Sequence, residues 1–268
     1  MKLYGLIGEK LTHSFSPKIH ELILKELKKE GYYHLFEIKK ENLKDALCGL
    51  KALEVGGVNV TIPYKVELMK YLDECSQEAK RIGAVNTICF KEGKAIGYNT
   101  DYYGFGMMLH INNIELKNKR ALILGTGGAS KAVIQYLLDE GIKDITIVSR
   151  DIHKGKEKYK EVEIISYDKI KNLKGYDMVI NCTPCGMYPH VDASPVKKEE
   201  LLNFHTAIDL IYNPQETLFL RDAKENGLKI VNGLYMLVGQ AIKAQELWND
   251  LKVEDAICHK VYEKIAKL

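Results

Sequence analysis

The stretch Ala121-Leu122-Ile123-Leu124-Gly125-Thr126-Gly127-Gly128-Ala129 determines the architecture expected for the second half of the chain. Its apolar residues predict a strand that is buried on both faces. The glycine cluster follows at once, and a helix is predicted from Ser130 to Glu140, ended by Gly141. This order is typical of a βαβ unit that holds a pyrophosphate, because glycines let the backbone approach the phosphates and N–H groups at the helix start face the anion. Taken alone, the glycines also fit a tight strand-to-helix turn.

Further strands and helices surround this unit along the chain. Short apolar runs predict the strands, and longer segments with helical spacing of apolar residues predict the helices. Strands that alternate with helices indicate a mainly parallel sheet covered on both faces. The lone Trp248 is expected to serve in packing. The predicted strands are Ile145–Val148, Met178–Ile180 and Ala207–Ile208, and the predicted C-terminal helices are Leu234–Leu251 and Val253–Leu268.

The residues after the second of these strands bear on the choice of dinucleotide. NAD-binding folds usually place an acid about 20 residues after the first glycine, where it holds the ribose 2′-hydroxyl. Here Ser149 and Arg150 occupy that place, and a guanidinium fork suits the oxygens of a 2′-phosphate. Lys154 adds positive charge one helical turn later, whereas Asp151 places a negative charge beside the predicted phosphate. The pattern favours NADP, and a surface role for Arg150 stays open.

The first half of the chain also alternates strands with helical segments. Ser16 is the predicted N-cap of a helix that has Pro17 in its first turn and that ends at Gly31. Glu92-Gly93 between two apolar runs indicates a hairpin. The predicted strands are Leu3–Ile7, Val58–Thr61, Val85–Phe90 and Ala95–Tyr98.

Polar residues cluster at the ends of these strands, where open α/β sheets bind ligands. Ser14 and Ser16 follow the first strand and can donate hydroxyls to a carboxylate, although N-capping also explains Ser16. Asn59 and Thr61 face the same way on their strand. The strand Val85–Phe90 carries a further amide, that of Asn86.

A lysine and an aspartate complete the polar cluster. Lys65 is predicted in the first turn of a helix, where its charge opposes the helix dipole; this placement indicates a use, although a solvated lysine stays an alternative. Asp101 precedes a helix and could also serve as its cap. Hydride delivery to a ketone builds negative charge on oxygen, so an ammonium held by a carboxylate is a plausible proton donor.

Composition excludes several other classes of protein. The 268 residues are 46% hydrophobic and carry a net charge of +3, which gives no reason to expect a nucleic-acid partner. No stretch approaches the roughly 20 apolar residues of a membrane span, and no signal peptide is evident. Six scattered cysteines fit a reducing cytoplasm. Cys182 and Cys185 form a C-x-x-C pair, but their loop-like surroundings and the lack of further ligands disfavour redox or zinc chemistry, and no metal is expected.

Eight motifs in this order resemble those of shikimate dehydrogenases along essentially the whole chain. Any one of them could arise by chance, whereas all eight in order are specific. They are Gly5–Gly8 with His13–Pro17, Asn59–Lys65, Gly83–Thr87, Asn99–Asp101, Gly125–Ala129, Asn181–Met187, Asp209–Pro214 and Gly233–Gln240.

The resemblance implies reversible NADPH-dependent reduction of 3-dehydroshikimate to shikimate, in the biosynthesis of aromatic amino acids. It implies that Lys65 and Asp101 form the catalytic pair and that Ser14 and Ser16 bind the substrate carboxylate; Asn59 is not assigned to a ligand. Contacts to the ring hydroxyls or the polar rim are implied for Thr61, Asn86, Tyr212 and Gln240. Cofactor contacts are implied for Gly125, Thr126, Gly127, Gly128 and Ala129 at the pyrophosphate, for Ser149, Arg150, Asp151 and Lys154 around the adenosine phosphate, and for Leu210 and Gly233 at the nicotinamide.

The same resemblance sets the expected architecture. Residues 1–101, with residues 238–268 returning to them, form a mainly parallel α/β domain for substrate binding and catalysis. Residues 102–237 form a Rossmann-like NADP-binding domain. A homodimer in the cytoplasm, without membrane or nucleic-acid partners, completes the expectation.

The chain departs from the family pattern at two places, and two alternative functions stay open. The family commonly has Asn-Arg-Thr where this chain has Ser149-Arg150-Asp151, which puts a strict NADP preference in doubt, and Thr126 replaces a usual alanine. A quinate or dual quinate/shikimate dehydrogenase is one alternative, which the presence of both loop serines disfavours. A binding module that lost catalysis is the other, which Lys65 and Asp101 disfavour.

Overall fold

The computed structural model describes residues 1–11, 14–160 and 162–267. These residues divide into two compact units: Met1–Gly104 with Val238–Leu268, and Phe105–Leu237. The division falls three residues after the boundary predicted between residues 101 and 102. It lies inside the helix that begins at Thr100.

The first unit contains a six-stranded sheet in the order β2-β1-β3-β5-β6-β4. Strand β1 pairs in parallel with β2 and β3, and β4 pairs in parallel with β6, whereas β5 is antiparallel to both of its neighbours. The elements are β1 (Lys2–Gly8), α1 (Ser16–Glu26), β2 (Gly31–Glu37), α2 (Leu43–Ala52), β3 (Gly57–Val60), β4 (Glu74–Cys75), α3 (Gln77–Ile82), β5 (Thr87–Lys91), β6 (Lys94–Tyr98) and α4 (Thr100–Ile111). The sheet is mixed but mainly parallel.

Helix α1 differs from its prediction at both ends. Its N-cap is Phe15, and Ser16 is the first helical residue. The Ser14 hydroxyl accepts the Ser16 N–H at 3.2 Å, and no side chain caps the helix at Phe15, so the capping role suggested for Ser16 is wrong. At the other end the helix stops at Glu26 and Lys28 takes the left-handed conformation at φ 53°. Gly31 does not end the helix, because it already begins β2.

The region after β3 also differs from its prediction. Strand β3 ends at Val60, so Thr61 lies just beyond it. Lys65 lies in a turn, and the helical segment that follows is a 3₁₀ helix at Glu67–Tyr71. The predicted opposition between Lys65 and a helix dipole is therefore wrong, because no α-helix begins at this residue. By contrast, the hairpin is confirmed, with Glu92 and Gly93 at φ 50° and 74° between β5 and β6.

The C-terminal helices α8 (Leu234–Asn249) and α9 (Asp255–Ile265) return to the first unit from Val238 onward. Trp248 is 4% exposed, stacks on Tyr4 with ring centroids 5.0 Å apart, and donates its indole N–H to the Ile88 carbonyl at 3.0 Å. This is the packing role predicted for Trp248. Helix α9 packs on α1, where Lys260 and Lys264 each place an ammonium 2.6 Å from the Glu26 carboxylate.

The second unit contains a parallel six-stranded sheet in the order β12-β11-β10-β7-β8-β9. Read from β9, this is the 3-2-1-4-5-6 order of a Rossmann fold, and the order reverses between β7 and β10. The elements are β7 (Arg120–Leu124), α5 (Gly128–Asp139), β8 (Asp144–Val148), α6 (Ile152–Lys158), β9 (Glu163–Ile165), β10 (Met178–Asn181), β11 (Thr206–Asp209), α7 (Leu218–Glu225) and β12 (Lys229–Val231).

Strand β7 is buried on both faces, as its unbroken apolar sequence predicted. Ala121 and Ile123 pack in one core cluster with Val133 of α5, and Leu122 and Leu124 pack in another with residues of α7. Four strands were not predicted. Strands β4, β9 and β12 have two or three residues, too few for a periodic pattern to show, whereas β2 was missed because Gly31, its first residue, was expected to end α1. No helix among the described residues is long and apolar enough to cross a lipid bilayer.

Candidate active site

Lys65 and Asp101 form an ion pair in the first unit. The Lys65 Nζ lies 2.6 Å from the Asp101 Oδ2, and the side chains are 24% and 17% exposed. Lys65 comes from the turn after β3, and Asp101 from the first turn of α4. The helix start is capped by Asn99, whose side-chain oxygen accepts the Tyr102 N–H at 3.4 Å. Asp101 is therefore not the cap, and its carboxylate is directed to the lysine.

The two serines predicted to bind a carboxylate lie at the start of α1, after the C-terminal end of β1. Both are partly exposed. The Ser14 oxygen accepts the Ser16 N–H, and this bond leaves the Ser14 hydroxyl proton to be donated elsewhere. Burial raises the pKa of Tyr33, and the side chain of Ser16 opposes this rise by hydrogen bonding to the phenol. His13, which belongs to the same motif, lies outside the described residues.

Besides Asn86, two further residues of the first unit, Thr61 and Gln240, are predicted to contact the substrate. Both side chains are partly exposed, Thr61 just after β3 and Gln240 on α8. The backbone of Thr61 is fixed on both sides, since its N–H donates to the Ile7 carbonyl at 3.0 Å and its carbonyl accepts the Tyr64 N–H at 2.9 Å. Their predicted contacts with substrate stay predictions.

Asn86 is 3% exposed and is held by its side-chain oxygen. Its Oδ1 accepts the Thr100 N–H at 2.6 Å and lies 3.1 Å from the Thr100 hydroxyl. The backbone donor identifies this atom as oxygen rather than nitrogen. Asn59, 5% exposed, is likewise engaged inside the unit, where it bonds to Tyr33 and Thr87.

The glycine loop connects β7 to α5 in the second unit. Gly125 adopts φ 94°, and a Cβ there would lie 2.6 Å from the Thr183 side chain, so this position needs glycine. Gly127 is the N-cap of α5, and a Cβ at Gly128 would meet no atom within 4 Å. The helix start therefore presents its N–H groups beside open space, as a phosphate site requires.

A cavity of about 910 Å³ opens beside this loop and contains part of the predicted adenosine-phosphate site. Arg150 lines the cavity and is exposed. Ser149 also lines it, but its hydroxyl is bonded to both the N–H and the carbonyl of Asp151, at 3.1 and 2.8 Å, so it shapes the turn. Lys154 is not among the described residues that line the cavity, and its Nζ lies 3.7 Å from Asp151.

The carboxylate of Asp151 has a structural role in this turn. It accepts the Lys154 N–H at 3.0 Å and caps α6, and this bond lowers the pKa of Asp151 below its ordinary range. The sequence suggested that Asp151 would repel a phosphate. The capping bond provides a separate reason for an acid at this position.

Leu210 and Gly233, predicted at the nicotinamide end, touch each other in the second unit. A Cβ on Gly233 would lie 2.0 Å from the Leu210 carbonyl oxygen, so only glycine fits. Tyr212 lies two residues further along the same loop and is partly exposed, and burial raises the pKa of its phenol. None of the three is among the described residues that line the cavity beside the glycine loop.

Comparisons with known proteins match both units to the same family. The family model described as "Shikimate dehydrogenase substrate binding domain" matches residues 6–88, and the model described as "Shikimate / quinate 5-dehydrogenase" matches residues 108–199. The chain is 53% identical over 264 residues to "Shikimate dehydrogenase (NADP(+))" of Clostridium beijerinckii, covering 98% of this chain and 97% of the relative. The chain belongs to the shikimate dehydrogenase family.

Solved structures of the shikimate dehydrogenase family share the fold. A chorismate mutase/shikimate 5-dehydrogenase fusion protein from Clostridium acetobutylicum is 52% identical, with a TM-score of 0.97 and coverage of 99% of this chain and 97% of that chain. Shikimate 5-dehydrogenase from Thermus thermophilus, in complex with NADP(H) and shikimate, is 33% identical, with a TM-score of 0.86 and coverage of 98% and 99%.

In this shikimate dehydrogenase family member, the far wall of the cavity comes from residues to which no cofactor role was assigned from the sequence. They follow β10, the strand beside β7 where the sheet order reverses, and that position is the signal that could have identified them. These lining residues are Cys182, Thr183, Pro184, Cys185, Gly186, His190, Ala193, Ser194 and Pro195, joined by Tyr167.

The C-x-x-C pair belongs to that wall. Burial raises the pKa of both Cys182 and Cys185, which favours the protonated thiols over the reactive thiolates. Within residues 1–11, 14–160 and 162–267, no three His, Cys, Asp or Glu side chains are arranged to hold a metal ion.

Lys158 and Asp209 are two further charged residues of the second unit to which the sequence assigned no role. The Lys158 ammonium donates to the carbonyls of Thr126 and Gly127 in the glycine loop. Asp209 is fully buried at the end of β11, directly before Leu210. Its carboxylate accepts from the Asn181 amide and the Ile211 N–H at 3.0 Å each, and from the Thr217 hydroxyl at 2.7 Å.

Proposed function

We propose that this chain catalyses the reversible NADPH-dependent reduction of 3-dehydroshikimate to shikimate, with Lys65 and Asp101 as its acid–base pair. The observation that carries the proposal is the 2.6 Å ion pair between these mostly buried side chains, in the unit that matches the substrate-binding family model. The reaction belongs to the biosynthesis of aromatic amino acids through chorismate.

The residues of the second unit fit the cofactor. The open space at Gly128 and the N-terminus of α5 suit a pyrophosphate, and Arg150 at the rim of the 910 Å³ cavity suits a 2′-phosphate. The relative at 53% identity carries NADP(+) in its name, which supports the same choice here. Leu210 and Gly233 are proposed at the nicotinamide end, and Gly125, Thr126, Gly127 and Ala129 at the pyrophosphate.

NADPH, when bound, supplies the hydride that reduces the ring ketone. The Lys65 ammonium donates a proton to the carbonyl oxygen as negative charge builds there, and in the reverse direction Lys65 removes the proton of the hydroxyl. Asp101 holds the ammonium in place through its carboxylate, which keeps the transferable proton in one orientation.

The substrate is held by donors that match its functional groups. Ser14 and Ser16 bind the carboxylate at the carboxyl end of β1, where open sheets bind ligands, and Ser14 has the hydroxyl proton that is left to donate. Asn86 offers its amide Nδ2, since its oxygen is bonded to Thr100. Thr61, Tyr212 and Gln240 contact the ring hydroxyls or the polar rim.

The location in the cell, the oligomeric state and the activity on quinate stay predictions. A cytoplasmic location is proposed on the basis of the six free cysteines and the biosynthetic role. The predicted homodimer stays a prediction. Activity on quinate is the competing specificity, and the description of one matching family model includes it.

Steady-state assays of shikimate and quinate, each with NADP⁺ and NAD⁺, test the proposal. We expect the highest kcat/KM for shikimate with NADP⁺. A higher value for quinate would overturn the substrate assignment, and a higher value for NAD⁺ would overturn the cofactor assignment. If no pair is turned over by folded protein, the chain is a binding module rather than an enzyme.

A further inference from the structure

Four buried polar residues form a connected cluster in the first unit, and only one of them has a role in the proposed reaction. Asn59, Asn86, Thr87 and Thr100 are each at most 5% exposed. Asn86 is assigned to substrate, while Thr87 follows it in the chain and Thr100 precedes Asp101. Buried polar groups need partners, so their bonds to one another determine how they are oriented.

The Thr87 hydroxyl is the centre of this cluster. Its Oγ1 accepts from the Asn59 Nδ2 at 2.9 Å, lies 3.0 Å from the Thr100 Oγ1, and donates to the Asn86 Oδ1 at 3.2 Å. These three partners use the full hydrogen-bonding capacity of one hydroxyl, which has one proton and two lone pairs. The hydroxyl therefore joins β3, β5 and the start of α4.

The contacts on Asn86 determine which end of its amide faces away from the cluster. The Thr100 N–H, the Thr100 hydroxyl and the Thr87 hydroxyl all lie at Oδ1, at 2.6, 3.1 and 3.2 Å. A rotated amide would place Nδ2, a donor, against the Thr100 N–H, which is also a donor. The amide nitrogen is thus held on the other side of the group, from where we expect it to donate to substrate.

The same contacts fix the start of α4. The bond from the Thr100 N–H to Asn86 holds the first residue of the helix, and Asp101 is the second. A change in this bond would move the Asp101 carboxylate relative to Lys65. One hydroxyl, on Thr87, is therefore connected to both a substrate donor and the catalytic carboxylate.

We propose that Thr87 is a positioning residue for this reaction: its buried hydroxyl orients the Asn86 amide toward substrate and fixes the helix start that carries Asp101. The proposal rests on the proposed function, because it assigns Asn86 and Asp101 the roles given above. Thr87 is fully buried, so its effect is transmitted through these two residues.

The test compares Thr87→Val with Thr87→Ser. Valine keeps the shape but removes the hydroxyl, whereas serine keeps the hydroxyl. We expect T87V to lower kcat/KM for shikimate at least about tenfold, with a raised KM for shikimate, and T87S to stay within about threefold of wild type. The KM for NADP⁺ is expected to be unchanged in both variants.

Thr146→Val is the matched control for loss of a buried threonine hydroxyl. Thr146 is 2% exposed on β8 and bonds to Tyr176 and Glu163 at 2.6 and 3.0 Å, in the second unit. We expect T146V to lower the melting temperature without raising the KM for shikimate. If T87V changes only the melting temperature, or if T87S loses as much activity as T87V, the positioning role is wrong.

A double-mutant cycle tests whether Thr87 acts through Asn86. In an Asn86→Ala background, T87V is expected to raise the KM for shikimate by less than about threefold, since the group it orients is gone. Fully additive effects on KM would contradict the proposal. Should T87V not fold, Thr100→Val removes the other hydroxyl on Asn86 and carries the same expectations and the same contradicting outcomes.

Wild-type activity, measured in the same series, separates the two proposals. An active wild type with an unaffected T87V would overturn the role of Thr87 alone. A folded wild type that does not turn over shikimate would overturn the proposed function and, with it, the role of Thr87.

Discussion

The Nζ of Lys65 lies 2.6 Å from the Oδ2 of Asp101, although 36 residues separate them in the chain. The turn after β3 supplies the lysine and the first turn of α4 supplies the aspartate. Both side chains are mostly shielded from water, which strengthens their attraction and restricts the ammonium to one orientation. This arrangement is the geometric basis for a proton donor in the first unit.

Replacing Lys65 by alanine removes the proposed proton donor. We expect kcat to fall at least about 10²-fold while the KM for shikimate changes little, because the loss concerns the transition state. Steady-state kinetics with shikimate and NADP⁺ measure both quantities. Lys70→Ala is the control, since Lys70 is an exposed lysine of the neighbouring 3₁₀ helix, paired with Glu67. Unchanged turnover in K65A would show that this lysine is not the proton donor.

Replacing Arg150 by alanine tests the cofactor assignment. Arg150 lines the cavity beside the glycine loop, so its loss should raise the KM for NADPH far more than the KM for NADH. Lys156→Ala, a change at a nearby exposed cation on α6, is the control. Equal increases for the two cofactors would contradict a contact between Arg150 and the 2′-phosphate.

The parts of the fold that could be predicted are those with long or distinctive patterns. Strand β7 with its glycine loop, and the hairpin at Glu92-Gly93, were found because an unbroken apolar run and a turn with positive φ leave clear signals. Strands β9 and β12, at three residues each, leave none. The end of α1 was misplaced because Lys28, rather than a glycine, adopts the left-handed conformation.

Prediction of the candidate site from the sequence has the same limits. The types and order of Lys65 and Asp101 suggested a pair, and their contact required only that a turn and a helix start meet. The roles of Thr87 and Asp209 could not be inferred, because a buried threonine or aspartate looks the same in sequence whether it bonds to three groups or to none. Hydrogen bonds between distant segments depend on the tertiary structure, which a local pattern does not contain.

Gly233→Ala tests the contact with Leu210. An added Cβ would lie 2.0 Å from the Leu210 carbonyl oxygen, so the loop must shift. We expect a loss of about 1–3 kcal/mol in the free energy of unfolding, typical of overpacking, together with a lower kcat. Gly49→Ala is the control, because its Cβ would meet nothing within 4 Å on α2, and it should be neutral or slightly stabilising. A fully active, equally stable G233A would refute this contact as a constraint.

His20 should make the first unit less stable in acid. The ring is fully buried, stacks on Tyr33 at 4.2 Å, and burial lowers the pKa of His20 from 6.5 to about 3. The unfolded chain therefore binds a proton that the folded chain rejects. The stabilisation is present above pH 6.5 and is lost progressively as the pH falls toward about 3.

Urea unfolding at several pH values between about 7 and 4 measures this effect. The single tryptophan of the chain, Trp248, lies 5.3 Å from the His20 ring, so its fluorescence reports on the first unit. We expect the midpoint to fall with decreasing pH in the wild type and to fall less steeply in His20→Phe. Parallel curves for the two proteins would show that His20 does not cause the acid sensitivity.

Asp209 should make the second unit less stable as the pH rises, which is the opposite of the effect expected of His20 in the first unit. Burial raises the pKa of Asp209 from 3.8 to about 6, more than the bonds from Thr217, Ile211 and Asn181 lower it. The folded chain therefore holds a proton that the unfolded chain releases. The resulting stabilisation is complete below pH 3.8 and is lost as the pH rises through about 6, a difference of about 3 kcal/mol for a shift of this size.

Asp209→Asn removes this titration while keeping the size and one acceptor of the side chain. Unfolding followed by far-UV circular dichroism, after subtraction of the transition that Trp248 reports, should show that the second unit of the wild type loses stability between about pH 4 and 7. The variant should show a flatter dependence over the same range. Cys182 and Cys185 lie near Asp209, but burial raises the pKa of both thiols, so neither changes charge in this interval. An equally steep loss in D209N would therefore exclude Asp209 as its source.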